Sequence, residues 1–185
     1  MSTIRGLVFH SRFHYVKQHL DYTTRRNINE HLSEQVRNVV SEQVFPVNFY
    51  RFEMLQELDN AIVTVTTAAE QPLFQSIGRE FAHAIVDRYF FNYTEAQKPQ
   101  RFLAQFQRLY ARLWGFGQID IRPESTRKST IILEYPVSVH PAYHIFMTSF
   151  LTNAIALCGG KSVQLNPVES EDDPQECRKY VTTWQ

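Results

Sequence analysis

The sequence contains few cysteines, few glycines and no long apolar run. Of 185 residues, 2 are cysteine and 6 are glycine. Cys158 and Cys177 form neither a disulfide ladder nor a CxxC metal pair, which favours a reducing compartment. No segment reaches the roughly 18 consecutive apolar residues of a membrane span, and the N-terminus lacks the basic and apolar regions of a signal peptide. We therefore expect a cytoplasmic protein that does not insert into membranes.

An excess of charge of either sign is also absent. Nineteen basic residues balance 19 acidic ones, which argues against nucleic acid or an anionic membrane as the main partner. Hydrophobic residues make up 43% of the chain and aromatic residues 14%. This content is sufficient for a buried core without metals or disulfides, and the length fits one domain spanning residues 1–185.

Helical periodicity dominates residues 10–115. Apolar residues recur at three- and four-residue intervals, the polar residues 21–24 can cap the first helix, and Pro72 and Pro99 lie where helices begin. Gly78 interrupts an apolar stripe, which indicates the close approach of a neighbouring backbone. The first ten residues suit either a short strand or a helix. The apolar stripes are Ile28, Leu32, Val36, Val39 and Val40; Phe49, Phe52, Met54, Leu55, Leu58, Ile62 and Val65; Leu73, Ile77, Phe81, Ile85 and Tyr89; and Phe102, Phe106, Leu109 and Leu113.

The periodicity changes after Gly117. Apolar and polar residues alternate at 119–121 and 130–135 around a turn at 123–128, which predicts a hairpin. Pro141 begins a helix that ends at Gly159-Gly160. Two further strands, at 162–168 and 177–184, flank an acidic loop at 169–176. We predict an α+β fold in which a mainly helical part, residues 1–117, packs on a four-stranded antiparallel sheet formed by the ββαββ part, residues 118–185.

Five short stretches, in this order and spacing, resemble a known superfamily. They are Ile4-Arg5-Gly6-Leu7-Val8-Phe9, Ile77-Gly78-Arg79-Glu80-Phe81, Phe102-Leu103 with Leu109-Tyr110-Ala111-Arg112-Leu113, Glu134-Tyr135, and Tyr180-Val181-Thr182-Thr183-Trp184. The chain resembles the haem–nitric-oxide-binding domains and the four-vinyl-reductase-like ligand-binding domains, and still more an uncharacterised myxobacterial family of about this length. The resemblance implies helices packed over a four-stranded sheet, with a ligand held between the two.

The resemblance also allows the haem-binding residues to be compared. The iron-ligating histidine of the haem members falls at Tyr110, and their Tyr-x-Ser-x-Arg clamp for the propionates falls near residues 135–139, where no arginine occurs. Both differences argue against haem, although tyrosinate can ligate haem iron. Only Cys177 remains of the cysteine cluster found in some four-vinyl-reductase-like relatives. We therefore expect no haem, no other cofactor and no metal.

Other candidate sites have simpler explanations. The pairs His10/His14 and His140/His144 have metal-ligand spacing but no third ligand nearby, and His140 precedes Pro141 and so should lie outside the helix. Gly160-Lys161-Ser162 lacks the first glycine and the preceding strand of a phosphate-binding loop. The acidic residues of the loop at 169–176 do not follow the EF-hand spacing. We interpret the histidines as partly buried or surface residues that are hydrogen-bonded to their neighbours. The glycines are interpreted as a helix end, and the acidic residues as a solvated hairpin tip.

A basic stripe is the candidate binding site for an anion or an acidic partner. It consists of Arg101, Arg108 and Arg112, which share one face of a helix because they lie seven and four residues apart. The simpler interpretation is a solvated helix face, since the protein has no net charge.

Aromatic residues are the candidate pocket lining. They include Phe81, Phe106, Tyr110, Trp114, Tyr135, Phe146 and Phe150. Such side chains mainly fill cores, but in this fold some can line a ligand site, with Tyr110 as its polar group. No constellation supports an enzyme. The leading hypothesis is a non-enzymatic sensory or regulatory domain that binds a small apolar or aromatic ligand. The alternatives are a homodimerising or partner-binding interaction module with a filled core, and a haem-based gas sensor.

Overall fold

The N-terminal part of the chain is helical and contains a small sheet. In the computed structural model, which describes residues 2–41, 44–66, 70–95, 98–135, 138–168 and 177–185, strands β1 and β2 pair antiparallel. A π-helical turn, Val86–Phe90, links α5 to α6. The elements are β1 (Thr3–Arg5), α1 (Gly6–His19), α2 (Tyr22–Glu30), α3 (Glu34–Ser41), β2 (Phe49–Arg51), α4 (Phe52–Thr66), α5 (Glu70–Ile85), α6 (Phe91–Glu95) and α7 (Pro99–Leu113).

The C-terminal part is the predicted ββαββ unit. Its elements are β3 (Gln118–Ser125), β4 (Lys128–Glu134), α8 (Pro141–Leu157), β5 (Gln164–Val168) and β6 (Cys177–Thr183). The four strands form one antiparallel sheet in the order β3-β4-β6-β5. Helix α8 packs along α5 and also contacts α7 and β5. The α+β class and the four-stranded sheet predicted from the sequence are therefore confirmed.

Two glycines have conformational roles in this arrangement, one at a close approach between helices and one at a helix end. A Cβ atom on Gly78 in α5 would lie 2.5 Å from the carbonyl oxygen of Phe146 and 2.9 Å from the amide nitrogen of Phe150, both in α8. This confirms the prediction that a neighbouring backbone approaches Gly78 closely. Gly159 ends α8 with φ of 96°, the left-handed conformation expected there. The tight crossing of α5 and α8 brings the aromatic residues of the two helices together.

Several predicted boundaries were wrong. The apolar stripe from Ile28 to Val40 belongs to two helices, because the chain breaks at residues 31–33, where Ser33 bonds to the Glu57 carboxylate. Phe49 lies in β2 instead of the following helix, and the hairpin turn is shorter because β3 extends to Ser125. The first residues form a strand and then a helix.

Other expectations have mixed outcomes. Asp21 caps α2 by accepting a hydrogen bond from the Thr24 amide at 2.9 Å, as expected for the polar residues 21–24. His140 lies outside α8, as predicted, and its Nδ1 atom also caps the helix by accepting a hydrogen bond from the Ala142 amide at 3.1 Å. The acidic loop lies outside the described residues. Within the described ranges, no helix combines the length and the apolar character that crossing a bilayer requires.

Candidate functional site

The seven aromatic residues predicted to line a pocket form one buried network between the helices and the sheet. None of them is more than 3% exposed. The Phe150 ring centroid lies 5.1 Å from that of Phe106 and 5.2 Å from that of Phe81. Tyr110 stacks on Trp114 with centroids 4.7 Å apart and an interplanar angle of 17°.

Helix periodicity explains how the network is assembled. On α7, Phe102, Phe106 and Tyr110 repeat every four residues, so they lie on the face that turns inward. On α8, Phe146 and Phe150 have the same spacing, and their rings lie 6.4 Å apart. The two helix faces meet, and Tyr135, the residue that follows β4, extends the network through its ring, which lies 5.8 Å from that of Tyr143.

One end of the network contains buried polar atoms without hydrogen-bond partners among the described residues. They are the hydroxyls of Tyr110, Tyr135 and Tyr143, the indole nitrogen of Trp114 and Nδ1 of His144. A buried donor or acceptor without a partner costs about 1–3 kcal/mol, so such groups rarely collect at one place without a reason. We call these five residues the tyrosine cluster.

Burial determines the protonation states in the tyrosine cluster. It raises the pKa of Tyr110, Tyr135 and Tyr143 well above that of exposed tyrosine, so all three remain neutral phenols. The nearby Tyr143 hydroxyl opposes part of the rise in the pKa of Tyr110, although the two hydroxyls do not reach hydrogen-bond geometry. Burial lowers the pKa of His144 to about 4, so its imidazole is neutral at pH 7. The cluster therefore offers neutral hydroxyl donors and one neutral imidazole.

Sequence reasoning identified only part of this site. Tyr143 was not among the predicted pocket residues, and His144 was considered only as half of a histidine pair. The available signal was their position: both lie one helical turn before Phe146 and Met147, on a helix whose apolar residues extend around most of its surface. A tyrosine on such a helix has a buried hydroxyl that requires a partner.

A buried ion pair lies beside the aromatic network and was also missed. Arg12 of α1 is 0% exposed and Asp59 of α4 is 1% exposed. Nε and Nη2 of Arg12 donate to the two carboxylate oxygens at 3.1 and 3.3 Å, and the guanidinium carbon lies 3.8 Å from the centroid of the Phe146 ring. Burial raises the pKa of Asp59, and the Arg12 guanidinium opposes that rise. The pair links α1 and α4 to α8, the helix that carries Tyr143.

The three arginines of the basic stripe are exposed on α7. Arg108 and Arg112 line a surface groove of about 360 Å³ together with Tyr89 and Tyr93. Arg101 lies one to two turns before this groove and is not part of its lining. The structure thus brings two of the predicted cations together with exposed aromatic rings.

The histidine pairs do not acquire a third ligand. The rings of His10 and His14 stack with centroids 6.0 Å apart, and burial, followed by the charge of His14, lowers the pKa of His10. Among the described residues, no group of three or more His, Cys, Asp or Glu side chains has the geometry to hold a metal ion.

Comparison with known proteins gives matches among solved structures only. No family model matches the chain, and no curated protein matches it significantly. The Fe(II) unliganded H-NOX protein from K. algicida superposes with a TM-score of 0.74 at 14% identity, over 98% of this chain and 97% of that one. An oxygen-binding H-NOX domain related to soluble guanylate cyclases gives a TM-score of 0.69 at 10% identity, over 98% and 95%. The chain therefore has a haem–nitric-oxide-binding-like fold, as the resemblance implied.

The residues of this chain at the haem-binding positions of the superfamily are not suited to hold haem. Tyr110 stands where the resemblance places the iron ligand, and burial holds it as a neutral phenol, which is a poor ligand compared with tyrosinate. The Tyr110 ring stacks on Trp114, and the Phe106 ring contacts both, so aromatic rings pack directly against the residue that would have to ligate the iron. Ser138 and Val139 follow Tyr135 without an arginine to pair with propionates.

Proposed function

We propose that residues 1–185 act as one non-enzymatic sensory or regulatory domain that binds a small molecule at the tyrosine cluster. The observation that carries this proposal is the concentration of unpartnered polar atoms between α7, α8 and the sheet. A ligand that accepts hydrogen bonds from the Tyr110, Tyr135 or Tyr143 hydroxyls while contacting aromatic rings would satisfy them. The fold comparison supports a ligand-binding sensor fold without identifying the ligand.

Tyrosine-to-phenylalanine substitutions test this proposal. We expect Tyr143→Phe to raise the free energy of unfolding of the ligand-free protein by about 1 kcal/mol, because it removes a buried hydroxyl that has no partner. The same change should reduce the amount of any small molecule that copurifies with the protein, as measured by native mass spectrometry. Urea denaturation followed by circular dichroism measures the stability.

The matched control is Tyr50→Phe. The Tyr50 hydroxyl accepts a hydrogen bond from the Phe45 amide at 2.9 Å, so its removal should destabilise the protein. If Tyr143→Phe destabilises the protein as Tyr50→Phe does, and no bound species is found, the hydroxyl is satisfied by the protein or by an ordered water molecule. The ligand proposal would then be wrong, and the interaction module with a filled core would explain the structure better.

A haem-based gas sensor is the second candidate function. The structural comparison favours it over a haem-free domain, because the similar structures include an Fe(II) H-NOX protein and an oxygen-binding H-NOX domain. The residues at the site favour the haem-free form, for the reasons given above. If haem bound here, Tyr110 is the residue that would have to ligate its iron, as the phenolate.

We expect the protein to carry no haem when it is expressed with added haem precursor. Absorption spectroscopy after desalting should show no Soret band, because Tyr110 is held as a neutral phenol beneath Trp114. The control is Tyr110→His, which supplies the histidine ligand of the haem members. The rings of Phe106 and Trp114 remain packed around this position, so we expect no Soret band in this variant either. A Soret band in the unmodified protein that is lost in Tyr110→Phe would establish the haem sensor instead.

The interaction module is supported by a separate feature. Arg108 and Arg112 share an exposed groove with two tyrosines, which suits an acidic segment of a second copy or of another signalling protein. In this function the aromatic network is only a core. The two functions are compatible, since a sensory domain must pass its signal to a partner.

A further inference from the structure

We propose that the helical layer contains a second ligand site, a cavity between helices α1–α4 that binds the carboxylate of a medium-chain fatty acid. The cavity has a volume of about 560 Å³, which lies within the range of small-molecule sites. It is separate from the tyrosine cluster, and none of the five residues of that cluster lines it.

The floor of the cavity is apolar. Buried and half-buried apolar side chains from helices α1 to α4 and from the turn between α2 and α3 form it, and these residues line it: Phe13, Val16, Ile28, Leu32, Val40 and Leu58. Leu58 is 1% exposed, Ile28 3% and Leu32 4%, so the floor of the cavity is part of the hydrophobic core between the helices. A hydrocarbon chain that replaced water on this floor would gain affinity with each methylene group that it buries.

The rim of the cavity is cationic. Lys17 of α1 and Arg25 of α2 both line it, and no acidic residue does so among the described residues. The ion pairs formed in the described part of the chain do not include either cation. Two cations without an ion-pair partner among the described residues select an anionic head group over a neutral or cationic one.

Arg25 supplies the most specific feature. One Nη atom donates to the Lys17 carbonyl oxygen at 3.4 Å, which anchors the guanidinium at the end of α1. Its Nε atom is covered and has no hydrogen-bond partner. A rotation of the half-buried Arg25 side chain would present this N–H group to an incoming carboxylate oxygen, and Lys17 adds a second positive charge beside it. The cationic rim is complementary to a carboxylate, and the apolar floor is complementary to a hydrocarbon chain. A fatty acid combines these two groups.

Calorimetric titration of the full chain with sodium decanoate, below its micelle concentration, tests the site. We expect saturable binding with one molecule per chain, and much weaker binding of decanol and of decyltrimethylammonium. Arg25→Gln should weaken decanoate binding about 10- to 100-fold, because it removes a charge-assisted hydrogen bond. The matched control is Arg26→Gln on the same helix, whose side chain is exposed and paired with Glu30, and it should leave the affinity unchanged.

Further variants keep the test decisive. If Arg25→Gln fails to fold, as judged by circular dichroism, the exposed Lys17→Gln replaces it and should also weaken binding. Tyr110→Phe should leave decanoate binding unchanged, which separates this site from the proposed tyrosine cluster. Absence of saturable binding by the folded protein, equal affinity in the Arg25 or Lys17 variant, or equally tight binding of decanol would overturn the proposal.

Discussion

We expect Asp59→Ala to lower the free energy of unfolding by about 3–5 kcal/mol, measured by urea denaturation. The substitution leaves the Arg12 guanidinium, which is 0% exposed, without its counter-charge and without the acceptors of two hydrogen bonds. The Phe146 ring below the guanidinium carbon cannot replace a carboxylate, because a cation–π contact is worth about 2 kcal/mol when desolvated. The loss should therefore exceed that of most single substitutions.

Two controls separate the ion pair from general packing. In the double variant Arg12→Met and Asp59→Leu, no buried charge remains, so it should be more stable than Asp59→Ala. Glu30→Ala removes a pair on the surface, where both side chains are more than half exposed, and should change the stability little. A loss below about 1 kcal/mol in Asp59→Ala would show that water reaches Arg12 and that the pair is not buried in solution.

The sequence predicts the regular elements better than their ends. The i, i+4 stripes of α5 and α7 and the alternation of β3 and β4 are present in the structure, because burial of one face determines both the pattern and the fold. Helix α8 was predicted from its length, its initial proline and its final glycines, since its apolar residues extend around most of its surface. The break between α2 and α3 was missed since Leu32 and Val36 continue the apolar phase across it, and both are buried. Strands β1 and β2 have three residues each, too few for an alternation to show.

The candidate site was less predictable for a different reason. The aromatic residues could be selected by type and spacing, but whether a tyrosine hydroxyl has a partner depends on side chains from other elements. Arg12 of α1 and Asp59 of α4 are 47 residues apart, so only the tertiary fold brings the two side chains together. Each is a charged residue within an apolar stripe, and this local conflict was the signal in the sequence.

We expect Phe146→Ala and Phe150→Ala each to lower the free energy of unfolding by about 3–5 kcal/mol and the melting temperature by many degrees. Both side chains are 0% exposed. The Phe150 ring lies within 6.5 Å of the rings of Phe81, Phe106 and Trp114. Truncation would therefore leave a cavity that the close crossing of α5 and α8 at Gly78 prevents from collapsing. Urea and thermal denaturation measure the losses.

The result also locates the ligand site within the aromatic network. Large losses place Phe146 and Phe150 in the core and confine any ligand to the polar end, at Tyr110, Tyr135 and Tyr143. Toluene should then restore part of the stability of Phe150→Ala but not affect the unmodified protein, because an apolar cavity stays dry and binds small aromatic molecules. Tyr22→Ala, at a side chain that is 73% exposed, is the control and should cost little. Losses below about 1 kcal/mol at both phenylalanines would instead show that they line a space already open in the empty protein.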